Sequence, residues 1–210
     1  GDRTPFFLSI INFLISIIFF SINKIIKLFT IIFTVLIVSL MLFFSNDIYN
    51  RVIKSTISSF DFSNDQFVFF SHDHDSHYRS SFKMIKENFP LGIGPKLFRE
   101  ECRKEIYNIN DKACSTHPHN YFIQLVLEIG IFGIIFIISS YGYLLYKFSK
   151  NYFSYKKNIT KDKVFMYYTP LIVILFPFVP THQFYSNWWS VLIYLSLGLL
   201  LSKLGRFKII

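Results

Sequence analysis

The sequence predicts an all-α integral membrane protein with about five spanning helices and one large, partly helical outer loop. Three observations predict it. The chain is 52% hydrophobic and 20% aromatic over 210 residues. Its apolar residues fall in five long runs. Its net charge of +9 is concentrated on alternate connections between those runs. A soluble domain of this length needs no apolar runs so long, and spanning a bilayer takes about 20 consecutive apolar residues.

The runs are Pro5–Ser21, Leu28–Phe44, Tyr121–Tyr146, Val164–Val179 and Trp188–Ser202. The third exceeds the spanning length. The first two are marginal, and the last two need flanking residues such as Tyr185 or Leu204. Only the third carries a charge near its centre, Glu128. Lys24 and Lys27 lie between runs one and two. Lys147, Lys150, Lys156, Lys157, Lys161 and Lys163 lie between runs three and four. Lys203, Arg206 and Lys208 close the chain. These eleven basic residues face one acid, Asp162, whereas residues 45–118 hold ten basic and ten acidic residues. Basic residues concentrate on the cytoplasmic side of spanning helices. Residues 45–118 and Pro180–Asn187 therefore belong outside, with Trp188 and Trp189 at the outer interface. Charge distributed this way also excludes nucleic acid as a partner, despite the net positive balance.

The first run lacks a cationic start and a small-residue cleavage site, so it does not read as a signal peptide. The chain reads as one membrane domain over 1–210 and as a piece of a longer protein with earlier helices. Within the outer loop, Ser76–Asn88 predicts an amphipathic helix, because Phe82, Ile85 and Phe89 recur at helical spacing. Phe89 ends it, since the residue before a proline avoids helical backbone. Leu91–Pro95 predicts a tight turn, and Lys96–Tyr107 a second helix.

The outer segments also hold the residues suited to chemistry. His117-Pro118-His119-Asn120 stands at the mouth of run three. Asn120, Gln124 and Glu128 then share one face if the helix is straight, a polar stripe that suits a bundle interior. It serves equally as glue between helices. Arg3 and Arg79 suit bidentate contacts to phosphate; each also suits a plainer role, Arg3 at the bilayer interface and Arg79 on a solvated helix face. His72-Asp73-His74-Asp75-Ser76-His77 has no standard zinc spacing and reads as an exposed polar loop. Cys102 and Cys114 form a disulfide if the loop lies in an oxidising compartment, worth ~3 kcal/mol in the chain-entropy model. No nucleophile elbow, phosphate-binding glycine loop or HExxH motif is present.

Taken together, these residues resemble the O-antigen ligase and O-antigen polymerase family of bacterial membrane glycosyltransferases. Gly1-Asp2-Arg3-Thr4 before a spanning helix is similar to the family's Arg-containing segment. Arg79, followed by Glu87-Asn88-Phe89-Pro90-Leu91-Gly92-Ile93-Gly94, is similar to its loop motif, with Phe89 inserted between Asn88 and Pro90. His119-Asn120, nine residues, Gly130, two residues and Gly133 is similar to its His-Asn signature. The resemblance implies the C-terminal half of a GT-C-like fold in the bacterial inner (cytoplasmic) membrane, with 45–118 periplasmic. It implies transfer of a glycan from undecaprenyl pyrophosphate to an acceptor sugar hydroxyl. The acceptor is the lipid A–core for a ligase and a second lipid-linked repeat for a polymerase. Neither a metal nor another cofactor is implied. His119, Arg79 and Arg3 are then the expected catalytic residues. Asn120, His117, Arg99, Arg103 and His182 are expected at the substrate. Two other classes remain open on the sequence: a transporter or channel using Glu128, and a non-enzymatic membrane protein binding a metal or partner through His72, His74 and His77.

Overall fold

A computed structural model describes residues 3–57, 68 and 71–204, with backbone only for Arg3, Arg51, Ser55 and Leu204. Asp2, Arg206 and Lys208 lie outside the described residues. Those described are helical, with no strand among them. Their helices are α1 (Arg3–Phe19), α2 (Lys24–Phe44), α3 (Asn46–Tyr49), α4 (Ser55–Ile57), α5 (His72–Asn88), α6 (Phe98–Glu101), α7 (Tyr121–Ser154), α8 (Asn158–Ile174) and α9 (Asn187–Leu204). A π-helical turn, Asn50–Lys54, joins α3 to α4.

Two helices, α2 and α7, are long and apolar enough to cross a membrane, and α1 carries a shorter apolar stretch. No residue of α2 is buried within the chain. Most of its apolar side chains are exposed, as lipid contact requires, with one stripe through Thr30, Thr34 and Val38 half-buried. The α1–α2 turn is tighter than the sequence implied, because Lys24 and Lys27 belong to α2. Asn23 caps that helix through its side-chain oxygen, which accepts from the Ile25 amide. Asp162 accepts from the Ser21 amide at 2.8 Å, and Lys27 donates to the Ile17 carbonyl at 2.6 Å.

The Lys-rich connection is mostly helix. α7 runs on to Ser154 and α8 starts at Asn158, which leaves only Tyr155–Lys157 between them. Phe148, Tyr152, Val164, Phe165 and Tyr168 form a core there, with Phe19 at the end of α1 and Phe20 just after it packed against it. α8 stops at Ile174 rather than Val179. Pro177 and Pro180 cannot donate to a continuing helix, and residues 175–186 become turns and extended chain.

The larger departure lies inside α7. Gly130 has φ 57° and ψ −130°, and the helix breaks there. The rings of Phe122 and Tyr141 lie 5.9 Å apart. In an unbroken helix those positions stand about 28 Å apart at 1.5 Å per residue. Residues 121–129 therefore fold back beside residues 131–141, and the Asn120–Gln124–Glu128 stripe lies wholly on this first leg, before the break. The break orphans the carbonyls of Leu127 and Glu128 and the amide of Ile131. The turn after α5 satisfies all three: Ile93 N donates to Leu127 O, Gly94 N to Glu128 O, and Ile131 N to Pro90 O, at 2.8–2.9 Å. A Cβ on Gly130 would stand 1.9 Å from Pro90 O, and one on Gly133 2.3 Å from Leu125 O.

α5 begins one turn earlier than the periodicity indicated. Ser71 caps it by accepting from the His74 amide, and Asp73 and Asp75 suit its positive N-terminus. The His72–His77 run is thus helix rather than loop, with Ser76 and His77 buried. The second loop helix is only Phe98–Glu101. Beyond it the chain turns back through the Cys102–Cys114 disulfide. Ser80 Oγ holds the Tyr107 carbonyl at 2.8 Å, and the His77 ring holds that of Ala113 at 2.9 Å. These contacts with α5 override helix propensity across 102–113. Met84, Phe98, Cys102, Ala113 and Leu127 are fully buried between α5, this wrapping segment and α7. Each large apolar side chain buried there is worth about 2 kcal/mol.

Gly130→Ala is expected to destabilise this unit by about 2–4 kcal/mol, through the strained φ and the collision with Pro90. Gly142→Ala and Gly198→Ala, which meet open space, are expected to be neutral. Thermal unfolding of the three variants in detergent checks the contrast.

Candidate functional site

The fold-back of α7 sets its first residues against both α5 and the 175–186 segment. Asn120 caps α7: its Oδ1 accepts from the amides of Phe122 and Ile123 at 3.0 and 3.1 Å. Its Nδ2 donates to the Pro177 carbonyl at 2.8 Å. One amide side chain therefore starts a helix and holds a second segment. Thr181 doubles the attachment, since its amide donates to His119 O at 2.7 Å and its hydroxyl accepts from Tyr121 N at 2.9 Å. Phe184 N adds a bond to Gln124 Oε1 at 3.0 Å, and Gln124 Nε2 donates to Glu128. The polar face seen in the sequence thus ties α7 to the α8–α9 connection.

His119 is held between the buried Pro118 and Asn120 with φ 56°. A non-glycine residue adopts such backbone only where its surroundings enforce it. Here the enforcing contacts are the two bonds to its carbonyl, from Thr181 N and, at 3.5 Å, from Tyr78 Oη. The imidazole then projects into a cluster of others. Ring centroids lie 4.1 Å away for His117, 5.1 Å for His77 and 5.4 Å for His74. The His117 ring contacts Thr116 Oγ1 at 2.9 Å and the Thr181 carbonyl at 3.4 Å. Among the described residues no protein group bonds either ring nitrogen of His119.

Burial pushes the imidazoles toward the neutral form. His119 is lowered to about 3, first by desolvation and then by the charges that His117, His77, His74 and His182 would carry. His117 is lowered to about 4 by desolvation, against a raising contribution from the Thr181 carbonyl. At neutral pH the site therefore offers an unprotonated nitrogen base.

The other expected residues are spread more widely. Arg79 sits on α5 roughly 140–160° around the helix from His74 and His77. It pairs with Asp75 at 2.5 Å and lines a surface hollow of about 550 Å³ with Phe82, Lys83, Lys86 and Ile109. The structure does not bring Arg79 against the imidazole cluster. Arg99 and Arg103 are exposed on and just after α6. His182 is exposed, 5.9 Å from the Trp189 ring, and near enough to bear on His117 and His119. The Arg3 side chain lies outside the described residues. Among those described, no three His, Cys, Asp or Glu residues have the geometry to hold a metal ion. An apolar cavity of about 290 Å³ adjoins the site through Tyr121, walled by Phe122, Leu125, Tyr141, Leu171 and Ile193. Sequence reasoning missed Thr181, which no motif marks. It read His74 and His77 as part of an exposed polar loop, or as ligands for a metal or partner, although their three-residue spacing already suited one helix face.

Two outcomes follow from this geometry. Asn120→Ala removes the cap and the bridge to Pro177, so it is expected to destabilise by about 1–3 kcal/mol. Asn120→Asp keeps the cap and is expected to recover part of that, as denaturant titration will read. A histidine whose folded value is lowered gives stability that is full above the ordinary value and is lost as pH falls below it. Melting temperature is therefore expected to fall from pH 6.5 toward pH 4, and His117→Phe to soften the fall.

The site residues at the start of α7 and the Gly130 break fall within a single family match. The family model for O-antigen ligase matches residues 1–138, more than half of the chain. No curated protein and no solved structure matches it. The matched stretch contains Arg79, the turn docked on Gly130 and the His119-Asn120 cap, and on that extent the chain belongs to the O-antigen ligase family.

Proposed function

We propose that this chain moves a glycan from undecaprenyl pyrophosphate to an acceptor sugar hydroxyl at the periplasmic face of the bacterial inner membrane. The observation that carries the reading is the His119 ring, neutral at physiological pH and with neither nitrogen bonded to a protein group among the described residues. An acceptor hydroxyl gives its proton to that ring as its oxygen bonds to the anomeric carbon. The bond from that carbon to the pyrophosphate oxygen breaks, and undecaprenyl pyrophosphate leaves. Asn120 holds the start of α7 so that the ring keeps its aim. The base is an imidazole, so the step as proposed requires no metal.

The leaving pyrophosphate gathers negative charge, which preorganised cations stabilise. Arg79 and Arg3 are the proposed cations. Arg79 meets the phosphates from the hollow it shares with Lys83 and Lys86, on the other side of α5 from His119. His117 and His182 flank the base, and Arg99 and Arg103 are assigned to the acceptor. The acceptor is lipid A–core or a second lipid-linked repeat. We read the architecture as GT-C-like, a single membrane domain over 1–210 with about five crossings and a periplasmic loop over 45–118. Two observations support that orientation. The Lys147–Lys163 region packs with the end of α1, and His119 lies at the other end of the helices, beside the α8–α9 connection.

The lipopolysaccharide ladder of a strain lacking the full-length gene tests the proposal. A core bearing one repeat is expected for a polymerase and a bare core for a ligase. Wild type restores the ladder and His119→Ala does not. An unchanged ladder in the deletion strain, or rescue by His119→Ala, defeats the proposal.

A further inference from the structure

The His72–His77 run has no part in the reaction as described, yet two of its rings face His119. His77 is buried, and its Nδ1 donates to the Ala113 carbonyl at 2.9 Å. That bond pins the ring on the wrapping segment closed by the Cys102–Cys114 disulfide. The pinned ring lies nearly parallel to His119, 5.1 Å away with 23° between planes. His74 meets His119 edge-on at 5.4 Å and 86°, and its own Nδ1 contacts Ser71 Oγ at 2.7 Å. His117 approaches from the third side. Three imidazoles with protein partners thus surround a fourth that has none for its ring nitrogens among the described residues.

We propose that His77 and His74 are positioning residues for His119, holding its ring between a stacked and an edge-on imidazole so that it meets its substrate unprotonated. The role given to His119 rests on the proposed function; the placement of the rings does not. The titratable groups that bear on the His119 ring or touch its backbone come from three elements. They are His74, His77 and Tyr78 of α5, His117 of the segment before α7, and His182 of the α8–α9 connection. The contributions acting on the ring all point one way. Burial disfavours its charged form, and a second proton among the other four histidines adds like charge. Asn in place of His77 keeps a donor for Ala113 O but removes the stacked ring and lets water reach His119.

Diethyl pyrocarbonate labelling of the full-length protein in detergent, read by mass spectrometry at His119, tests this without any glycan transfer. The reagent attacks only unprotonated imidazole. In the wild type the rate, corrected for reagent hydrolysis, is expected to be the same at pH 7.5 and pH 5.5. In His77→Asn it is expected to fall about tenfold over that range, as for a histidine titrating near 6.5. His74→Asn is expected to give a smaller fall, because an edge contact shields less of the ring. A tenfold fall in the wild type overturns the proposal, and so does a flat profile in a folded His77→Asn. If His77→Asn does not fold, the wild-type profile and His74→Asn decide alone. Flat wild-type labelling together with an unchanged lipopolysaccharide ladder would leave the positioning intact and remove the transfer reaction.

Discussion

The break at Gly130 organises everything around it. A helix interrupted in mid-course exposes backbone groups at both new ends, and buried backbone without partners is costly. Here the turn 90–94 fills the gap with three hydrogen bonds, to Leu127, Glu128 and Ile131. One docking event therefore fixes where α5 ends, how far the start of α7 folds back, and which side of α5 faces His119. A Cβ on Gly92 would come within 2.7 Å of the Glu128 backbone. Glycine is needed on both sides of this junction. The Leu91–Gly94 turn and the Gly130/Gly133 pair, far apart in the sequence, are the two halves of one contact.

That contact also explains what could be read without coordinates. The apolar runs place α1, α2 and α9 within about four residues and mark where α7 begins, because length and hydropathy decide them locally. Each polar boundary that moved was decided by a group outside the apolar pattern. Ser71 extends α5 through a side-chain cap, and Pro177 and Pro180 shorten α8. The wrapping of 102–113 around α5 dissolves the expected helix there. The bend in α7 was hidden for a different reason. Ile, Phe and Gly on both sides of Gly130 keep the pattern of a single apolar helix, and glycines in apolar helices ordinarily serve close packing. Nothing in the residues 121–154 alone distinguishes the two roles; the distinguishing group is Pro90 O, forty residues earlier.

For the site, the His-Asn pair was legible because its function is local: a cap residue preceded by a ring at a helix mouth. Helical spacing puts Arg79 and His77 on different sides of α5. Arg79 is paired with Asp75, while His119 has the rings of His117, His77 and His74 as its neighbours.

A buried cluster of imidazoles is stable only while it stays largely neutral, since desolvated like charges repel strongly. Two rings of the cluster are held by backbone carbonyls: Ala113 O bonds the His77 ring, and Thr181 O the His117 ring. A carboxylate would have fixed the rings equally well but drawn protons onto them. Carbonyl acceptors orient an imidazole with far less pull toward its charged form. The two carbonyls come from segments held by different means, one by the disulfide-closed wrap and the other by Asn120 and the Thr181 bonds. The placement of the His119 ring thus depends on three parts of the chain being in place together, and the Gly130 junction brings α5 and α7 into the register that lets them meet.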